Sequence, residues 1–221
     1  VDAYQVNYFG WTRLFDFGSN AVNYLFLCPR VGNSFAPAYV LRAAATLNGN
    51  INETRLNWTN SLPTNVQSHV VFTYSPSQRQ SRLYVDGAPA TTNTTSFLLS
   101  SLVDVNNWLG RSQFSNDAFY KGYYNEFRIY CGVLSETEVA ASFAAGPELV
   151  GLDALRANVS GGELILNWGR TYQASTLQSS PTLDAGANWT DWSDAAFSRD
   201  GRWFVNAPLT NSAQFFRLNP P

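Results

Sequence analysis

The sequence predicts an all-β protein built as an antiparallel sandwich, and three observations lead there. Apolar and polar residues alternate with period two through most of the 221 residues, which sends successive side chains to opposite faces of a strand. Runs of β-branched and aromatic residues are broken at intervals of about ten residues by Asn, Gly, Pro and Ser clusters, the spacing of short strands joined by turns. Helix signals are confined to one short segment.

Taken in order, strands are expected over Thr12–Phe17, Asn23–Cys28, Ala38–Thr46, Ser68–Tyr74, Arg82–Val85, Asn107–Arg111 and Tyr120–Tyr130. Asp86-Gly87 follows Leu83-Tyr84-Val85 directly. A tight hairpin turn needs positive φ at its two central residues, which Asx and Gly tolerate, so this pair predicts a hairpin. The helix starts at Ser135, where Glu138 three residues on completes a capping box, and it stops at Gly146-Pro147. Beyond it the texture changes to six short strand-like runs: Leu152–Val159, Glu163–Trp168, Ser175–Ser179, Trp189–Trp192, Arg202–Val205 and Phe215–Leu218. Gly161-Gly162 separates the first two as a hairpin turn does. Four of the seven tryptophans (168, 189, 192 and 203) fall in this part, enough apolar area to give a small domain its own core. The expected division is therefore 1–147 and 148–221, with a linker from Pro147 to Gly151.

Composition removes several function classes. Apolar residues make up 45% and charged residues 14% of the chain, ordinary for an exported β-protein and poor in charge for a cytosolic enzyme. Fourteen basic against sixteen acidic side chains give a net charge of −2, and Lys121 is the only lysine. A basic patch able to neutralise phosphates is lacking, which argues against nucleic acid and anionic membrane as partners. No apolar run approaches the roughly 20 residues needed to span a bilayer. With Val1 first and no methionine, the sequence reads as a processed or trimmed product, and removal of an export signal fits. Cys28 and Cys131 both sit in strand-like runs, and in an oxidising compartment they are candidates for a disulfide; two separate buried thiols are the alternative.

A resemblance emerges from motifs in a fixed order: Trp11-Thr12-Arg13-Leu14-Phe15-Asp16-Phe17-Gly18, Tyr24-Leu25-Phe26-Leu27, His69-Val70-Val71-Phe72-Thr73, Leu83-Tyr84-Val85-Asp86-Gly87, Trp108-Leu109-Gly110-Arg111-Ser112, Asn125-Glu126-Phe127-Arg128-Ile129-Tyr130 and Gly132-Val133-Leu134-Ser135. Together they resemble laminin-G-like, concanavalin A-like jelly rolls of exported bacterial proteins. The resemblance implies a two-sheet jelly roll over about residues 1–147, followed by a small C-terminal β-sandwich. It also implies one or two strands ahead of the segment that Val1-Asp2-Ala3-Tyr4 resembles, so the jelly roll is expected to lack its first strand or strands. Trimming accounts for that, or a strand supplied by a neighbouring chain, since an open sheet edge is a template for strand addition.

Signals for catalysis are weak. The only histidine, His69, lies within a strand-like run, and no Gly-x-Ser-x-Gly elbow is present. Retaining glycosidases need two carboxyls about 5 Å apart, and no Glu-x-Asp-x-x-Glu pattern occurs; Glu136 and Glu138 belong to a helix start. No cofactor is required. Calcium is compatible with the family resemblance, through loop oxygens of Asp16, Asn116 and Asp117; Asx turns explain the same residues. For glycan binding, which wants aromatics beside amides, the candidates are Trp58, Phe114, Asn116, Tyr120 and Tyr124. Most aromatics in so aromatic a sandwich must nevertheless be core. The expectation is a non-catalytic, secreted or cell-surface module for adhesion or surface assembly, whose partner is a glycan, a protein or copies of itself. The alternative is a carbohydrate-binding accessory module of a polysaccharide-degrading enzyme.

Overall fold

Strands that alternate in polarity must cover one face, and in the first part of the chain two sheets cover each other. The computed structural model describes residues 1–7, 9–34, 36–147, 155–169, 175–184, 186–199, 202–209 and 213–219. The chain divides into two compact units, Val1–Arg128 with Leu134–Val150, and Ile129–Val133 with Gly151–Pro221. In the first unit the strands are β1 (Asp2–Gln5), β2 (Phe15–Asn20), β3 (Asn23–Cys28), β4 (Arg42–Thr46), β5 (Thr54–Asn57), β6 (Gln67–Ser75), β7 (Gln80–Val85), β8 (Ala88–Thr94), β9 (Asn106–Leu109) and β10 (Gly122–Glu126). They form two five-stranded sheets, ordered β10-β1-β6-β7-β8 and β5-β4-β3-β2-β9. Every pairing between these strands is antiparallel.

The core between the sheets takes one residue in two from each strand: Ala3, Val70, Leu83 and Val85 from one sheet, Phe15, Leu27, Ala43 and Leu56 from the other. The other face of β3 and β4 is also covered. Tyr24, Phe26, Cys28 and Ala44 form a second cluster with Val31 and Val40, and Trp11 and Phe114 pack against it. This double burial explains why β4 is buried at all five positions, a pattern that alternation alone does not reveal. The Asp86-Gly87 turn is as expected, with φ of 49° and 78° joining Val85 to its partner Ala88.

Helix α1 (Glu136–Ala145) has the capping box in full. The Ser135 hydroxyl accepts from the Glu138 amide at 3.3 Å, and the Glu138 carboxylate accepts from the Ser135 amide at 2.6 Å. Two otherwise unmatched donors are satisfied this way. Ser135→Ala is expected to cost the first unit about 1 kcal/mol, seen as a lower denaturation midpoint for that unit alone.

The second unit contains β11 (Arg156–Ser160), β12 (Glu163–Gly169), β13 (Thr176–Ser180), β14 (Thr190–Asp191), β15 (Phe197–Arg199), β16 (Arg202–Pro208) and β17 (Phe215–Asn219). They make a four-stranded sheet, β11-β12-β16-β15, and a three-stranded one, β14-β13-β17. Leu166, Trp168, Leu177 and Val205 are its buried centre, with Trp192, Trp203 and Phe216 packed around them. The Gly161-Gly162 turn has φ of 62° and 82°, as the hairpin requires. The strand expected from Leu152 begins at Arg156; residues 152–154, like most of the expected linker, lie outside the described residues.

Two expectations need correction. Cys28 and Cys131 are both free, the first buried and the second exposed. Cys28 is sealed in the outer cluster of β3, where burial pushes its thiol pKa up. Cys131 was expected in a strand running on to Tyr130, but β10 stops at Glu126. At that point Phe127 turns inward and packs edge-on against Phe15 and Phe17 at 5.9 and 6.0 Å. Among the described residues, no helix is long and apolar enough to cross a membrane.

Candidate functional site

The outer face of the β5-β4-β3-β2-β9 sheet carries a cavity of about 250 Å³, lined by Trp11, Arg13, Phe26, Asn50, Glu53, Arg55, Phe114 and Asp117. Strand geometry supplies its back: Asp16 pairs with Phe26 in register across β2 and β3, and Phe26 with Ala44 across β3 and β4, so their side chains share the outer face. Three loops supply the walls. Trp11 comes from the approach to β2 and has φ of 64°. Its indole lies over Gly32, where an added Cβ would stand 2.6 Å from Nε1, so any larger residue at 32 would displace the ring. Asn50 and Glu53 come from the β4–β5 connection, and Phe114 and Asp117 from the segment after β9.

Arg13 organises the site. Its side chain is almost wholly buried; Nε donates to Asp16 Oδ2 at 3.3 Å, Nη1 to the Trp11 carbonyl at 2.6 Å, and Nη2 meets Asp117 Oδ2 at 3.0 Å. The guanidinium carbon stands 4.0 Å from the Phe26 ring centre, with Trp11 and Phe114 rings at 5.8 and 5.9 Å, distances at which an aromatic face attracts a cation. The 112–117 loop is tied to this centre. Asp16 Oδ2 also accepts the Gln113 amide at 2.9 Å, and Asp117 Oδ2 accepts the Ser112 hydroxyl at 2.7 Å. Both carboxylates are raised in pKa, Asp16 to about 6, with burial the leading cause and Arg13 opposing it. Asp16 Oδ1 is buried with no hydrogen-bond partner, so only its other oxygen receives hydrogen bonds that would favour the charged form.

At the opposite rim each oxygen of Glu53 has one partner, leaving acceptor capacity on both. Oε1 accepts the Tyr24 hydroxyl at 2.5 Å and Oε2 accepts Arg55 Nε at 2.6 Å, while Arg55 Nη2 reaches the Asn50 carbonyl at 2.8 Å. Burial, reinforced by the Glu53 hydrogen bond, pushes the Tyr24 pKa up. The carboxylates of the cavity are therefore acceptors in fixed pairs, an arrangement suited to shaping a binding surface rather than to moving protons.

The residues expected from sequence divide cleanly. Phe114 and Asp117 line the cavity, Asp16 holds its base, and Asn116 is exposed beside it. The guanidinium of Arg13 stands between the two aspartates offered to calcium. Among the described residues, no group of three or more His, Cys, Asp or Glu side chains is placed to hold a metal ion. Trp58, Tyr120 and Tyr124 instead pack against the inter-sheet core, and the Tyr124 hydroxyl donates to the Leu14 carbonyl at 2.7 Å. His69 is likewise structural in setting: its ring lies 5.8 Å from Phe143, and burial lowers its pKa. Sequence reasoning missed Trp11, Arg13, Asn50, Glu53 and Arg55. The alternation Glu53, Arg55, Asn57 was a usable signal, since it sets polar groups on one face of a short strand.

Comparisons with known proteins bear on this unit. A family model described as the concanavalin A-like lectin/glucanases superfamily matches residues 6–140. No curated protein matches the sequence significantly. Among solved structures, the CBM40 module of the Ruminococcus gnavus IT-sialidase is similar at 17% identity and a TM-score of 0.52, covering 63% of this chain and 78% of that one. The same module bound to α2,3-sialyllactose aligns at 17% identity and a TM-score of 0.51, over 63% and 78% of the two chains. A leech intramolecular trans-sialidase complexed with 2,7-anhydro-Neu5Ac aligns at 15% identity and a TM-score of 0.51, over 86% of this chain and 32% of that one. At these identities the likeness is one of fold.

Proposed function

From the fact that this chain belongs to the concanavalin A-like lectin/glucanases superfamily, we propose that its first unit is a non-catalytic carbohydrate-binding module with the Trp11–Phe114 cavity as its site. One observation carries the reading: half-buried aromatic rings, Trp11 and Phe114, stand beside the polar groups of Asn50, Glu53 and Arg55 around one concavity. Ligand sites combine apolar walls with a few convergent polar groups in this way. Aromatic rings cover the C–H face of a sugar, and carboxylate and guanidinium edges exchange hydrogen bonds with its hydroxyls. A volume of about 250 Å³ suits one ring rather than a long oligosaccharide, being just below the range of about 300–1,000 Å³ for drug-sized ligands. The similarity of fold to a CBM40 module solved with a bound glycan supports a glycan partner without specifying its charge, and the family resemblance to exported β-proteins supports an extracellular location.

The test is a glycan array with the whole chain, followed by calorimetry on the hits. Trp11→Ala and Phe114→Ala are each expected to weaken binding at least tenfold, about 1.4 kcal/mol, with the unfolding midpoint shifted little in at least one of the two. Binding that survives both substitutions would remove the cavity from the mechanism.

A second reading, surface assembly, is favoured by the sheet edges. Among the described strands, β9 pairs only with β2 and β10 only with β1, and Val105, Leu109 and Tyr123 at these edges are exposed. Unpaired edges accept added strands. Sedimentation of the purified chain tests this reading, which requires concentration-dependent oligomers; a monomer at high concentration excludes self-assembly through these edges.

A further inference from the structure

Building on the carbohydrate-binding reading above, we infer that the cavity selects uncharged sugar rings and discriminates against acidic ones. The lining holds two guanidinium groups, Arg13 and Arg55, and two carboxylates, Asp117 and Glu53. They are matched one to one, Arg13 with Asp117 at 3.0 Å and Arg55 with Glu53 at 2.6 Å. Behind the lining, buried Asp16 adds a second carboxylate to Arg13, and buried Arg42, with its Nε on Asn57 Oδ1 at 2.7 Å, adds a cation. Cations and carboxylates therefore balance within the lining and again when the groups behind it are included.

An acidic sugar would bring a carboxylate into this half-buried space and give up its hydration. Arg42, held by the neutral oxygens of Asn57 and Pro37, is fully buried and does not line the cavity. Of the lining cations, the sugar would have to take a guanidinium from a carboxylate that is itself largely shielded from water: the Glu53 side chain is 6% exposed and that of Asp117 17%. Displacing either partner leaves a shielded charge unpaired, the most costly outcome for an ion pair in this setting. Arg13 is the less available cation, because its side chain is only 2% exposed and is held at Nε, Nη1 and Nη2. A neutral ring asks for no such exchange. Its hydroxyls use the remaining hydrogen-bonding capacity of charges already paired, and its apolar face uses Trp11 and Phe114. The discrimination is an element built against the wrong ligand, acting alongside the attraction for the right one.

The experiment uses the whole chain and matched probes that differ in charge. Methyl glucoside is titrated against methyl glucuronide, methyl galactoside against methyl galacturonide, and lactose against 3′-sialyllactose. For the pair or pairs that bind, the neutral member is expected to bind at least tenfold more tightly, with an affinity that changes little from 50 to 500 mM NaCl, since its contacts carry no net charge to screen. Glu53→Gln removes the counter-charge of Arg55 and is expected to raise the acidic-to-neutral affinity ratio about tenfold; a ratio is insensitive to a general loss of active protein. If an acidic probe binds as tightly as its neutral partner, and Trp11→Ala abolishes that binding, the charge inference is overturned while the glycan site stands. An unchanged ratio in Glu53→Gln overturns it as well. Silence across both series, or binding indifferent to Trp11→Ala and Phe114→Ala, overturns the glycan reading itself and this inference with it.

Discussion

Arg13→Ala is expected to destabilise the first unit by about 3–5 kcal/mol, the cost of breaking a buried ion pair by removing one partner. Asp16 is completely buried and Arg13 nearly so, so the substitution leaves one carboxylate with no access to water and its neighbour Asp117 without its cation. The aromatic rings that pack against the guanidinium lose their filling at the same time. Because the chain comprises two compact units, its unfolding is not expected to follow a single two-state transition. Urea melts followed by signals assigned to each unit should show the first transition shifted and the second unmoved. Asp16→Ala with Arg13→Ala should cost less than the sum of the single changes, by an interaction energy of about 0.5–3 kcal/mol. A loss below about 1 kcal/mol in Arg13→Ala, or strict additivity, would show that this cluster does not hold the loop over the sheet.

Stability of the same unit is also expected to fall as pH rises from 4 to 7 because of Asp16. Its pKa in the folded protein is raised from the ordinary 3.8 to about 6, chiefly by burial. The folded state therefore holds the proton over a range in which the unfolded chain has released it. The stabilising contribution is fully present below pH 3.8 and is lost as pH climbs through about 6. At 1.36 kcal/mol per unit, the loss is on the order of 3 kcal/mol. Asp117 shifts in the same direction. Asp16→Asn, uncharged at every pH, removes this dependence. Denaturation midpoints of the variant and the parent measured between pH 4 and 7.5 should diverge in favour of the variant as pH rises. A constant difference would show that Asp16 titrates as an ordinary aspartate.

Legibility differed between fold and site for identifiable reasons. The strands built of aromatic and aliphatic runs between turn signals, Asn23–Cys28 among them, were readable from composition and length, even where, as in this strand, both faces are covered. β8 was not, since Ala88–Thr94 is mostly exposed and its Thr-rich sequence has no apolar face to announce it. β5 is only four residues long. Of the sequence candidates, Phe114, offered to a glycan, and Asp117, offered to calcium, both line the proposed cavity. Trp11 and Arg13 lay inside a motif that identified the fold, and nothing local marks them as cavity residues. Trp58, Tyr120 and Tyr124 had the same composition signal as Phe114 but face the core, because an aromatic in a sandwich reports burial and binding alike.

What the sequence determined by itself is what depends on neighbours a few positions apart: the capped helix at Ser135, the turns at Asp86-Gly87 and Gly161-Gly162, the period of the strands and the order of the family motifs. The tertiary structure alone decided which charges meet. Arg13 and Asp117 are 104 positions apart in the chain and 3.0 Å apart in space, and their pairing places a guanidinium where the sequence offered two aspartates to a cation. The difference is physical: turns and caps are settled by bonds within one stretch of chain, whereas the electrostatics of a cavity are settled by long-range pairings and by how much water they exclude.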